Sequence, residues 1–128
     1  MLPAALRMRS AAEFRRTISS GVRSGRSTLV VHAHQPVTDG GGTTTVGFVV
    51  SKAVGGAVVR NRVKRRLRHL SVPLLAETPA GTRVVVRALP PAATAPELGN
   101  DLRGAWHGCL RKLAAYRPKQ PAPETVRR

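Results

Sequence analysis

No acidic residue lies between Asp39 and Glu77, and inside that window six of the nine residues from Arg60 to Arg68 are basic. Surface helices usually intersperse acids at i,i+4, and like charges on successive turns repel. A run of this kind forms a stable helix only if an apolar stripe anchors it to a core. Val63, Leu67, Leu70 and Leu74, spaced 4, 3 and 4, supply that stripe. At about 100° per residue, Asn61, Lys64, Arg65 and Arg68 fall on the opposite face. Arg62, Arg66 and His69 line one flank, and Arg60 stands near the helix start. The charge forms a continuous ridge. A basic helix fixed to a buried element is a surface suited to a polyanion.

The rest of the chain reads as the frame for this helix. Ser10-Ala-Ala-Glu13 has the spacing of a capping box, and the helix it opens carries Phe14 and Ile18 four apart. Gly21 stands where that helix would stop. Thr28 to Ala33 is rich in β-branched residues and reads as a strand. Thr43 to Ser51 is a second strand, with a glycine-rich turn from Gln35 to Gly42 between them. The pair suggests an antiparallel hairpin, with a third short strand in the loop region. Gly55 and Gly56 open the basic helix. Thr82 to Ala88 is a further strand, ended by Pro90 and Pro91. Thr94-Ala-Pro-Glu97 has capping-box spacing before a stripe of Leu98, Leu102, Ala105, Trp106, Cys109 and Leu113.

The expected fold class is α+β: a two-layer sandwich with a mixed, mostly antiparallel sheet in the order α-β-β-β-α-β-α. Residues 1–9 read as a loose basic lead, 10–116 as a single domain, and 117–128 as a disordered tail. General handedness makes the strand-helix-strand unit from Val46 to Ala88 right-handed.

Net charge is +16, from 22 basic and 6 acidic residues. That excess points to nucleic acid or another anionic surface. Arginine outnumbers lysine 18 to 4, which suits RNA because guanidinium groups fork phosphates and stack on bases. The lone Cys109 forms no intrachain disulfide and fits a reducing cytosol. No stretch reads as a signal peptide or a membrane span. The six acids are scattered, so no carboxylate cluster for a two-metal nuclease is visible.

Val49-Val-Ser-Lys-Ala-Val-Gly-Gly-Ala-Val-Val-Arg-Asn-Arg-Val-Lys-Arg65 resembles the protein subunit of bacterial ribonuclease P. The hallmark of that family is an R-N-R-x-K-R run after a V-S-K-K-V-G-N-A-V approach. With element order included, the resemblance spans roughly residues 7–115. It departs at Ala53, where the family often has lysine, and at Gly56, where it often has asparagine. Ile18 and His32 stand where aromatics are common.

The resemblance implies a left-handed crossover through the R-N-R helix, against the general rule, and the family expectation is the one adopted. It implies an RNA-binding domain whose partners are ribonuclease P RNA and precursor tRNA. No membrane and no protein partner is required, and the setting is cytoplasmic. The RNA subunit is expected to carry out hydrolysis, with Mg²⁺ held mainly by that RNA and the substrate; the protein alone is expected to be inactive. The expected RNA-binding residues are Lys52, Arg60, Asn61, Arg62, Lys64, Arg65 and Arg68. The expected cleft for the 5′ leader holds Phe14, Ile18, His32 and Arg87.

Each assignment has a plainer rival. The ridge could be a solvated helix face. Phe14 and Ile18 could be core residues, although an aromatic lining a cleft would also stack on a leader base. His32 and His34, two apart on a strand, could form half of a zinc site, but zinc needs four ligands and none other is near in sequence. Lys52, Arg83 and Arg87 could be ordinary surface charges. At the level of function, a small ribosomal protein, a protein-only nuclease and a nucleoid DNA binder are the alternatives.

Overall fold

In the computed structural model, the structure describes residues 7, 11–35 and 43–115. The expected tail at 117–128, most of the expected lead and Ser10 of the first capping box lie outside the described residues. The elements are α1 (Ala11–Ser20), β1 (Val22–Gly25), β2 (Leu29–His34), β3 (Thr45–Val50), α2 (Ala57–Ala76), β4 (Arg83–Ala88) and α3 (Leu98–Ala115). A 3-10 turn at Pro90–Ala93 joins β4 to α3. This is the α-β-β-β-α-β-α order.

The sheet runs β1-β2-β4-β3. β2 pairs antiparallel with both β1 and β4, and β3 pairs parallel with β4. Two expectations are corrected here. β2 and β3 do not form a hairpin, because β4 lies between them. The extra strand is Val22–Gly25, ahead of β2, where Val-Arg-Ser-Gly carries no apolar alternation to mark it. β4 is central and is buried on both faces at Val84, Val85 and Val86, as a strand covered on both sides requires.

Alternation and register divide the sheet into two faces. Leu29, Val31, Ala33, Val46, Val50, Val84, Val86 and Ala88 enter one core with Val63, Leu67 and Leu74 of α2 and Leu98, Leu102, Ala105 and Trp106 of α3. The opposite face carries His32, His34, Arg83, Val85 and Arg87, and α1 crosses it over β2 and β4. Glu13 of α1 pairs with Arg83 there at 3.3 Å.

Polar links fix the two helices on the first face. The Trp106 Nε1–H donates to Thr78 Oγ1 at 2.9 Å, and that hydroxyl donates to the Leu74 carbonyl at 2.8 Å, tying α3 to the end of α2. Thr28 Oγ1 donates to Asp101 at 2.7 Å, holding the first turn of α3 to the start of β2. α3 begins at Leu98 and Thr94 closes the 3-10 turn, so the expected capping box does not start the helix. At Gly21 any Cβ would collide with the Ala33 carbonyl, so glycine is needed where α1 turns into β1.

Candidate nucleic-acid interface

The expected stripe anchors α2. Val63, Leu67 and Leu74 are buried, and Ser71 completes the row by bonding its hydroxyl to the Leu67 carbonyl at 2.7 Å. Leu70 is half-buried at the margin. With that side anchored, Asn61, Arg62, Arg65, Arg66 and His69 are exposed, and Arg60, Lys64 and Arg68 are half-buried. No carboxylate among the described residues forms an ion pair with any of them.

The start of the helix adds to the field. Gly56 caps α2 in an extended conformation without a side-chain hydrogen bond, and the first turn contains no acid. The positive end of the helix dipole and its free N–H groups therefore lie beside Arg60 and Asn61. Lys52 is exposed in the turn that leads from β3. The structure thus gathers all seven expected RNA-binding residues along α2 and its approach.

The expected cleft residues share one face of the sheet but differ in exposure. Phe14 is half-buried and Arg87 is exposed. Ile18 is 39% exposed, while Thr17, one position away, is 1% exposed. The buried side of α1 is therefore centred on Thr17, a residue the apolar pattern could not single out. His32 is 2% exposed, and neither ring nitrogen has a hydrogen-bond partner; the Thr17 hydroxyl likewise has none. Burial, reinforced by Arg87 and Arg23, lowers the His32 pKa below its ordinary 6.5. Burial with Arg16 and Arg83 lowers that of His34. Among the described residues, no group of three or more His, Cys, Asp or Glu side chains comes together to hold a metal ion. No helix among them is long and apolar enough to cross a membrane.

Comparison with known proteins places this arrangement. The family model described as Ribonuclease P matches residues 2–113. The ribonuclease P protein component of Kocuria rhizophila is 53% identical over 116 residues, covering 89% of this chain and 100% of that protein. That of Beutenbergia cavernae is 58% identical over 107 residues, covering 82% and 88%. The solved RNase P protein of Staphylococcus aureus is 26% identical, with a TM-score of 0.67 over 86% of this chain and 95% of that one. The chain therefore belongs to the ribonuclease P protein component family, part of an endoribonuclease holoenzyme that processes tRNA.

Proposed function

We propose that the chain binds the catalytic RNA of ribonuclease P through the α2 ridge and contacts the 5′ leader of precursor tRNA on the α1 side of the sheet. The observation that carries this reading is the ridge itself, whose cations have no carboxylate partner among the described residues. Arg62, Arg65 and Arg66 donate to phosphates from a helix that is already rigid, so little side-chain order has to be created beyond the guanidinium groups. Their charge offsets the repulsion between two folded RNAs. On the α1 side, Arg87 offers a cation to the leader backbone and the accessible part of Phe14 offers a stacking face. Contacts to the leader are contacts that mature tRNA lacks, so they favour substrate over product.

The family assignment supports the rest of the reading: Mg²⁺ is held mainly by the RNA subunit and the substrate, the RNA carries out hydrolysis, and the setting is the cytoplasm. The direct experiment measures binding of the chain to its catalytic RNA across salt concentrations. If about six to eight phosphates are contacted, the log-log slope is on the order of −4 to −7. The same preparation should cleave precursor tRNA at the mature 5′ end only when that RNA is present. A flat salt dependence, or cleavage by the RNA-free protein, would overturn the reading.

A further inference from the structure

An open groove of about 420 Å³ lies between the second half of α2 and the start of α3. Its floor is apolar: Leu70, Val72, Pro73 and Leu74 from α2, with Gly99 from α3. Val72 is 42% exposed, one of two large hydrophobic side chains that α2 leaves facing solvent; the other, Val58, lies at the opposite end of the helix. The groove continues the ridge. Arg62, Arg66 and His69 follow one flank of α2 at i, i+4 and i+7, and His69 is part of the groove wall.

The polar groups at the rim are few and partly fixed. Arg103 is exposed, and its Nη1 is held by Asn100 Oδ1 at 3.0 Å, so its guanidinium plane is oriented beside the groove. Glu77 lines the wall, with its Oε1 held by His107 Nε2 at 2.7 Å. Pro73 has no N–H, so the His69 carbonyl lacks its usual helical donor. An apolar floor and a wall carboxylate disfavour a phosphate. They suit a flat, uncharged group that carries amino donors and a stackable face.

We propose that this groove takes one unstacked nucleobase from the RNA strand that the ridge holds by its phosphates. The volume falls within the range of small-ligand sites. The base stacks against the Arg103 guanidinium and the Pro73–Val72 surface, as unpaired RNA bases do on planar and apolar side chains. Its exocyclic amino group faces the acceptors of Glu77 and the His69 carbonyl. The proposal rests on RNA lying along α2.

The test compares two short RNA hairpins at fixed salt, one fully paired and one with a single bulged 2-aminopurine. The full-length chain should bind the bulged hairpin about tenfold more tightly, within the range measured for stacking one base. Its 2-aminopurine emission should change on binding. Gly99→Leu plugs the groove: a Cβ there meets only the Leu70 side chain, at an ordinary 3.6 Å, and the change adds no charge. This variant and Arg103→Gln should abolish the preference for the bulge; Gly99→Leu should leave binding of the paired hairpin unchanged. Arg65→Gln, on the ridge, should weaken both hairpins equally. A wild-type chain with no bulge preference, or a preference that survives the plug in a variant with a normal melting temperature, overturns the proposal. If Arg65→Gln weakens neither hairpin while the plug removes the bulge preference, the groove stands and the ridge assignment fails.

Discussion

α1 and α2 lie on opposite faces of one sheet and are attached in opposite ways. α2 presses an apolar row into the core and leaves its charge outside. α1 buries Thr17 against a face that holds His32, and neither side chain has a hydrogen-bond partner. An ion pair there, Glu13 with Arg83, is partly exposed. Firm apolar seating is what allows a helix to carry so much uncompensated charge. On α2, therefore, folding and the proposed binding fall on different residues. Under α1 they overlap at Phe14, which is half-buried and is also the proposed stacking face.

The largest effect should come from unseating the ridge. Leu67 is fully buried, and Leu67→Ala should cost about 2–5 kcal/mol of stability, read from chemical denaturation. The matching experiment strips the ridge and keeps its seat. Arg62→Ala and Arg65→Ala should each weaken binding of the catalytic RNA by about 1–3 kcal/mol. Their melting temperatures should match the wild type. A melting loss as large as that of Leu67→Ala would erase the contrast between the two sides of α2.

The α1 side should respond to pH. The folded pKa values of His32 and His34 lie below 6.5, so the unfolded chain binds protons more readily. Stability should be complete above about pH 6.5 and fall as the pH drops below it towards the folded values. His32→Leu should reduce that decline and add about 1 kcal/mol at neutral pH, because it removes a buried polar group without partners. Melting curves at several pH values measure both effects; equal slopes in wild type and variant would mean that His32 does not titrate on unfolding.

The smallest effect concerns the uncapped start of α2. Gly56 already has the extended backbone of an N-cap, and a Cβ there would meet nothing within 4 Å. Gly56→Asn should supply the missing side-chain acceptor and raise stability by a few tenths of a kcal/mol. A drop in the unfolding midpoint would show that the cap position is less open than its geometry.

α2 was legible because its apolar period and its charge run agree from Arg60 to Arg68; among its buried residues only Ser71 fell outside the expected stripe, as a hydroxyl satisfied by its own helix. The long apolar strands were legible for the same reason. Strand order was not, because nothing local in Leu29–His34 or Thr45–Val50 states that β4 will come between them. β1 was missed because a four-residue edge strand of Val-Arg-Ser-Gly draws its stability from pairing with β2 and packing on α3. Ile18 looked like the natural partner for Phe14, yet the turn of α1 onto the polar face buries Thr17. The R-N-R run announced a polyanion surface, whereas the groove beyond it depends on two helices meeting.

Trp106 is the only tryptophan in the chain, is 1% exposed, and is hydrogen-bonded through Thr78 to the last turn of α2. That gives the molecule an internal optical gauge at the joint between its two long helices. Indole emission shifts to longer wavelength when water reaches the ring, so a loosening of this joint registers without an added label. RNA settling on the outer side of α2 leaves the ring dry. One fluorescence trace can therefore separate an occupied ridge from a displaced one.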